Sequence, residues 1–122
     1  MKIRTSNLTL DALDWAVAKC QNVEYKFRVT VGGDYNGNTT VHTRRYSTDP
    51  GQGWPIIERE FIGTRPVEGH TPKGYEMWWR AGYDSYTLER PIHEGPTALI
   101  AAMRCYVAGK LGDEVDIPDD LL

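Results

Sequence analysis

The residues that could bind a metal are few and widely spaced. The chain has three histidines, His42, His70 and His93, and none stands three or four residues from another histidine, a cysteine or an acid along a predicted helix. Structural and catalytic metal sites usually draw ligands from such short spacings. The spacing therefore predicts no metal site, and nothing else in the sequence calls for a cofactor.

Nucleophilic and phosphate-loop chemistry has no matching motif either. The glycine-rich stretches "GGDYNG" and "GQG" match neither GxxxxGK[ST] nor GxGxxG, and no GxSxG elbow is present. The two cysteines, Cys20 and Cys105, stand 85 positions apart in helical contexts. We expect both to be reduced, buried and unreactive. The sequence thus indicates a protein that is not an enzyme.

Aromatic residues interleaved with arginines are the clearest signal of binding. The loop-rich middle of the chain holds Trp54, Trp78, Trp79, Tyr46, Tyr83 and Tyr86, among Arg44, Arg45, Arg59, Arg65 and Arg80. Aromatic faces stack on bases and guanidinium groups grip phosphates at two points. This composition favours a small anionic, nucleotide-like ligand. An ordinary amphipathic sheet face with salt bridges would give the same pattern.

One set of residues is the candidate ligand site that follows from this reading. It consists of Tyr46, Asp49, Trp54, Glu58, Arg59, Trp79 and Arg104. In this set, Glu58 and Arg59 are neighbours on a short helix and point to different sides. We therefore expect them, with Glu60, to pair elsewhere or to meet solvent.

Arg104 is the sharpest member because it lies in the middle of an apolar helix. A buried charge cannot remain unpaired without a large cost in free energy. The structural explanation is an ion pair with an acid such as Asp14 or Glu58, or an aliphatic stem whose head reaches water. The functional explanation is an anionic ligand or a carboxylate of a partner.

Apolar periodicity places the first elements. Leu10, Leu13, Val17 and Cys20 form one stripe of a helix that begins after Thr9, the expected N-cap. Strict alternation over 23–31 predicts a strand, which turns at Asn36-Gly37 into a weaker return strand, "TTVHTRRY".

Glycine and proline are frequent in the middle of the chain. We expect irregular structure over 47–55 and 63–74, with a short helix beginning at Pro55, "PIIERE", between them. "YEMWWRA" reads as a strand, and "SYTLER" as its partner.

The stretch 94–111 predicts a helix that has almost no polar face. Only Arg104 and Lys110 are charged between Glu94 and Leu111, and Pro96 and Gly112 mark its ends. A helix that is apolar nearly all round is buried on several sides. We expect a sheet against one side and the first helix or a second protomer against another, so a homodimer or higher homo-oligomer is predicted.

The 122 residues fit one domain, 1–122. The predicted fold class is α+β: a small antiparallel sheet of about three to five strands, packed by an N-terminal helix and a longer C-terminal helix.

The net charge of −3 shows no basic footprint, so duplex nucleic acid is not an expected partner. The acidic last ten residues read as a solvated terminus. No apolar run spans a bilayer and no apolar leader begins the chain, which predicts a cytoplasmic protein that meets no membrane.

Three stretches together resemble one known family. They are "LDWAVAKC", "PIIERE" and "GPTALIAAMRCYVAGKLGDEV", and their order is similar to that of the NinX-like proteins among the accessory genes of lambdoid phages and prophages. The chain keeps Tyr46, Ser47 and Asp49 of the family pattern, shifts the tryptophan to Trp54, and diverges over 23–53 and 63–93. The resemblance implies a phage origin, and it implies no established enzymatic activity.

These readings converge on a phage accessory protein that acts by binding in the cytoplasm of the host. We expect counter-defence, either by sequestering a nucleotide signal or by blocking a host factor. The alternatives are a homo-oligomeric structural or interaction module and a single-strand nucleic-acid binder.

Overall fold

The fold is α+β, as predicted. The computed structural model describes residues 1–23, 29–33, 39–42, 44–84 and 89–122. In chain order the elements are β1 (Lys2–Arg4), α1 (Leu10–Cys20), β2 (Val29–Gly33), β3 (Thr39–His42), α2 (Pro50–Glu60), β4 (Ile62–Thr71), β5 (Gly74–Tyr83), β6 (Glu89–Gly95), α3 (Ala98–Leu111) and β7 (Glu114–Asp116), with single 3₁₀ turns at Thr5–Asn7 and Asp119–Leu121. Within the described ranges, no helix has the length and apolarity that crossing a membrane requires.

Helix α3 is the centre of the molecule. Thr97 caps it by accepting a hydrogen bond from the amide of Ile100 at 3.1 Å, and Gly112 ends it with φ +89°. The predicted C-terminus is confirmed, while Pro96 lies two residues before the first helical residue. Most of its side chains are buried against α1, α2 and the strands β4 to β6.

The protein that covers α3 is therefore largely its own chain. The apolar surface from which we predicted a homo-oligomer is used inside the fold. The homo-oligomer stays a prediction, but the apolar surface of α3 no longer supports it.

The sheet against α3 has three antiparallel strands in the order β4-β5-β6. Strands β4 and β5 form a long hairpin that turns between Thr71 and Gly74, where Gly74 has φ +110°. The prediction of irregular structure over 63–74 is wrong, because most of that stretch is β4. Pro66 does not prevent this strand, since β4 is an edge of the sheet and a proline is tolerated there.

The other strands form two separate pairs. Strands β2 and β3 are antiparallel, as the pattern over 23–31 and "TTVHTRRY" indicates. The turn at Asn36-Gly37, the side-chain alternation of this hairpin and most of "SYTLER" lie outside the described residues. The second pair joins the two ends of the chain, β1 with β7.

The acidic C-terminal segment is not simply a solvated terminus. Besides the β1–β7 pairing, Asp116 and Asp119 lie 2.9 and 3.5 Å from the amino group of Met1. Ile117 is buried and its amide donates to the carbonyl of Met1 at 2.8 Å. Part of the negative charge is thus held in structure against the first strand.

Helix α1 follows its predicted stripe except at the start. Leu13 and Val17 are fully buried and Cys20 is half-buried. Leu10, however, is 66% exposed and has φ +49°, so its place in the buried stripe is wrong. Thr9 occupies the N-cap position, but its hydroxyl makes no capping hydrogen bond.

Helix α2 begins five residues before the predicted start at Pro55. The carboxylate of Asp49 accepts from the amide of Gly51 at 2.9 Å, and Pro50 follows the cap, where a proline loses no hydrogen bond. This cap starts the helix inside the stretch that we expected to be irregular. Pro55 then lies within the helix.

The segment before α2 is held to α1 by a buried carboxylate. Asp14 of α1 accepts a hydrogen bond from the amide of Ser47 at 2.8 Å. Both side chains are buried, and the hydroxyl oxygen of Ser47 has no hydrogen-bond partner among the described residues. Burial is the main cause of the raised pKa of Asp14, and the contact with Ser47 opposes the shift.

A first prediction concerns Gly53, where α2 passes closest to its surroundings. A Cβ at this position would stand 2.2 Å from the carbonyl oxygen of Tyr46 and 2.6 Å from Leu99 Cδ1. Gly53→Ala should lower the free energy of unfolding by about 3 kcal/mol or prevent folding, because a backbone atom must move. Gly51→Ala is the matched control in the same helix. Equal urea midpoints for the two variants would contradict this packing.

A second prediction concerns Phe61, which ends α2 in the left-handed region with φ +56° and is 75% exposed. A phenylalanine pays a steric penalty there that glycine does not, and it buries little in return. Phe61→Gly should therefore raise the free energy of unfolding by about 1 kcal/mol in urea denaturation. Gly112→Ala, at φ +89°, should lower it by a similar amount. A destabilised Phe61→Gly variant would show that the ring packs.

A third prediction concerns Asp14. The pKa of Asp14 is higher in the folded state than in the unfolded state. Between these two pKa values the folded state binds more protons, so the contribution of Asp14 to stability falls as pH rises from the lower value to the higher. Asp14→Asn keeps the acceptor for Ser47 and offers an N–H to the unpartnered hydroxyl. It should stabilise the protein by about 1 kcal/mol at pH 7. The gain should disappear near pH 3; a pH-independent difference would refute the linkage.

Candidate functional site

The residues predicted as one ligand site are spread over the molecule. Tyr46 is buried beside the start of α2, and Asp49 is the cap of that helix. Trp54 and Glu58 are exposed on α2, while Trp79 is partly buried on β5 and packs against the core. These five residues therefore hold structural positions or face solvent, and none of them lines the groove described below.

Arg59 is committed to contacts within the protein. Its Nη2 donates to Gln21 Oε1 at 2.6 Å and lies 3.4 Å from the hydroxyl of Tyr106, so α2 is tied to the end of α1 and to α3. Its Nε lies 3.3 Å from Glu60, and Lys110 lies 3.5 Å from the same carboxylate. The expectation that these neighbours do not pair with each other is wrong for Arg59 and Glu60, because the two carry side chains long enough to meet around the last turn.

Arg104 is buried, and neither predicted acid pairs with it. Its Nε donates to the carbonyl of Leu8 at 3.0 Å and its Nη1 to the carbonyl of Glu94 at 2.7 Å. The side chain is 8% exposed. Asp14 binds Ser47 instead, and Glu58 is exposed on α2. The predicted ion pair is therefore wrong: Arg104 braces two stretches of main chain.

Among the described residues, the charge of Arg104 has no counter-ion. No carboxylate among the described residues lies within 4 Å of its guanidinium nitrogens, and Nη2 donates to none of them. Nη2 is also not among the fully buried atoms that lack a partner. It is therefore accessible to solvent, and Arg104 is one of the residues that line the groove described next.

This groove, which we call the edge groove, has a volume of about 480 Å³ and is open to solvent. It is lined by Ser6, Trp78, Ile92, His93, Glu94, Gly95 and Arg104. The run 92–95 belongs to β6, the edge opposite β4 in the three-stranded sheet, and Ser6 lies in the turn that precedes Leu8. Arg104 spans these two walls because it binds a carbonyl on each.

Glu94 organises the wall formed by β6. Its side chain accepts hydrogen bonds from the indole N–H of Trp78 and from Arg80 Nη2, the latter at 3.4 Å. Its carbonyl meets Arg104, so it points away from the neighbouring strand β5. In an antiparallel ladder the N–H and C=O of one residue point to the same side. The amide of Glu94 therefore points towards the groove as well.

Burial shapes the charges at the groove. It lowers the pKa of Arg104, although an arginine remains protonated at any physiological pH. Burial also lowers the pKa of His93, with Arg104 acting in the same direction and Asp113 in the opposite one. At neutral pH the groove is thus lined by one desolvated positive charge, a neutral imidazole and the carboxylate of Glu94.

The thiols offer little chemistry beside this site. Burial raises the pKa of Cys105 to about 12, and its Sγ lies 3.1 Å from the carbonyl of Pro91. Burial likewise raises the pKa of Cys20 to about 11. Both are protonated at neutral pH and are poor nucleophiles. Over the described ranges, no cluster of three or more histidine, cysteine or acidic side chains could hold a metal ion.

The predicted site set contains only one residue of the edge groove, Arg104. Trp78 was named in the pattern of aromatic and arginine residues but not in that set, and Ser6, His93 and Glu94 were not proposed to bind a ligand. These four residues come from three separate parts of the chain. The available signal was the alternation in "YEMWWRA", which places Trp78 and Arg80 on one face. Their convergence with Glu94 depends on the register of β5 and β6, which no local pattern specifies.

The whole chain can be compared with known proteins. No curated protein matches the sequence. A family model described as "Bacteriophage P22, NinX" matches residues 4–110, a stretch that includes the segments 23–53 and 63–93 in which the resemblance was weakest. This match contains α1, the β4–β5 hairpin, the edge groove and nearly all of α3. The chain belongs to the phage NinX family.

Proposed function

We propose that this phage accessory protein works by binding a small anionic, nucleotide-like molecule in the edge groove, without catalysing its conversion. Sequestering such a molecule in the host cytoplasm would remove a nucleotide signal from host defence. The observation that carries the proposal is Arg104, a guanidinium that is 8% exposed and lacks a carboxylate partner among the described residues.

The cost of burying Arg104 argues for an anion. Two carbonyl acceptors satisfy part of its hydrogen-bonding capacity, but they do not cancel a full charge. Nη2 and the second N–H of Nη1 have no partner among the described residues, and we assign them to the ligand. That arrangement binds a carboxylate or phosphate at two points. The amide of Glu94 adds a neutral donor on the same side.

The other lining residues favour a ligand that also has a flat, apolar part. Trp78 supplies an indole on which a base can stack, and Ile92, which is 43% exposed, extends the apolar surface. The volume of about 480 Å³ lies in the range of small-molecule sites. The carboxylate of Glu94 opposes an anion, but its hydrogen bonds from Trp78 and Arg80 reduce that effect.

Isothermal titration calorimetry against a panel of nucleoside mono-, di- and triphosphates and cyclic nucleotides tests this proposal. We expect at least one member to bind, and Arg104→Lys to weaken it about tenfold or more, because lysine lacks the planar fork. The same change at Arg59, Arg59→Lys, is the matched control and should leave affinity unchanged, since Arg59 contacts Gln21 and Glu60 away from the groove.

A second variant separates binding from folding. Arg104 also braces the fold, so its substitution can lower stability. Ser6 is exposed at the rim of the groove, and Ser6→Trp should fill the space without disturbing buried contacts. Loss of binding with an unchanged melting temperature supports the proposal. Heats equal to those of buffer across the panel, or full binding by Ser6→Trp, would reject it.

A further inference from the structure

We propose that His93 supplies a second positive charge to the edge groove when an anion binds, so that the groove prefers the doubly charged phosphate of a monoester to the singly charged phosphate of a diester. This inference rests on the proposed function, because it concerns the same groove. It names the class of ligand and the way in which pH controls its binding.

The position of His93 follows from the register of the sheet. His93 of β6 is opposite Ala81 of β5, and Ala81 is buried on the side of the sheet that packs against α3. Because side chains alternate along a strand, the imidazole lies on the α3 side and the side chain of Glu94 on the other. Arg104 comes from α3 and binds the carbonyl of Glu94, the next residue after His93. The guanidinium and the imidazole therefore line one end of the same groove.

The charges that act on His93 come from two sides. Arg104 on α3 disfavours the protonated imidazole, and Asp113, just after α3, favours it. Asp113 is fixed beside the wall of the groove, since its carbonyl accepts from the amide of Thr5 at 2.7 Å. From β5 the facing residue is the uncharged Ala81, while Arg80 and Glu94 pair with each other across the opposite face. Ser6, on the N-terminal wall, carries no charge.

A bound anion shifts His93 from its neutral form towards its protonated form. Without a bound anion, burial outweighs the opposing effect of Asp113 and lowers the pKa of His93, with a smaller contribution from Arg104, so the imidazole is neutral at pH 7. A bound anion neutralises Arg104 and attracts a proton, so the imidazole becomes charged and the complex takes up to one proton from solution. Affinity should therefore rise as pH falls, by at most about tenfold per pH unit for one linked proton.

The same pair of cations sets the ligand class. A diester carries one negative charge, which Arg104 alone can balance. A monoester carries close to two at neutral pH, because its second pKa is about 6. The second charge gains a partner only if His93 is protonated. A groove with both cations therefore prefers the terminal phosphate of a nucleoside monophosphate to the phosphate of a cyclic or linear diester.

Calorimetry with simple anions tests the inference on the intact protein. Sulfate remains a dianion between pH 5.5 and 8, so any pH dependence comes from the protein. We expect its affinity to rise by up to about tenfold per unit on acidification, and titrations in two buffers of different ionisation enthalpy to show proton uptake. Methyl phosphate should bind more tightly than dimethyl phosphate at pH 7.

Variants assign the proton to one residue. His93→Gln should show no rise in sulfate affinity between pH 8 and pH 5.5, and no proton uptake on binding. His93→Lys should bind sulfate at all pH values without proton uptake. His70→Gln, at an exposed position on the hairpin, is the control and should keep the wild-type slope.

The outcomes separate the inference from the function on which it rests. If wild-type protein binds anions with a flat pH profile and no proton uptake, the role of His93 is refuted while the groove stands as an anion site. If neither sulfate, methyl phosphate nor any nucleotide binds at any pH, the proposed function falls and the inference with it. Proton uptake that persists in His93→Gln would also overturn the assignment.

Discussion

The rest of the structure depends on the burial of α3 from nearly every side. Its apolar circumference cannot be left to water, so α1, α2 and the three-stranded sheet must all reach it. Close approach is possible because the residues at the contacts are small. A Cβ on Gly109 would stand 2.6 Å from the hydroxyl of Tyr83, and one on Gly95 would stand 2.9 Å from the amide of Ala101. These glycines fix the distance between helix and sheet, and that distance defines both the core and the groove at its margin.

Within this helix a single charge has two consequences. Arg104 cannot be solvated in the ordinary way, so it takes main-chain carbonyls from the N-terminal segment and from β6. The brace connects stretches 86 residues apart in sequence, Leu8 and Glu94. Among the described residues the charge of Arg104 has no carboxylate partner, although the side chain lines an open groove. The stability of the fold and the proposed binding therefore depend on the same side chain.

The physics of the sequence explains which parts were predictable. Periodicity and end signals identified α3 and most of α1, because the buried stripe of a helix is determined by residues that are close together in the sequence. The start of α2 was missed because Pro55 resembles a helix start, whereas the cap at Asp49 decides it. Strand β4 was missed because Pro66 and three glycines in 63–74 predict loop, and only the pairing with β5 overrides them. The edge groove was missed for a different reason. Trp78, His93 and Arg104 line one groove because of strand register and helix packing, and no local sequence pattern specifies either.

The two edges of the three-stranded sheet show why the groove lies where it does. An open edge exposes unpaired N–H and C=O groups and invites association with other strands. On β4 that risk is reduced by Pro66, which has no N–H to offer. On β6 the guanidinium of Arg104 occupies the carbonyl of Glu94, so the same residue that supports the core also covers part of the edge. A ligand bound there would complete the protection by engaging the remaining donors. Edge protection and the proposed anion site thus both depend on one arginine placed opposite one carbonyl, and both would be lost if β6 shifted its register by a single residue.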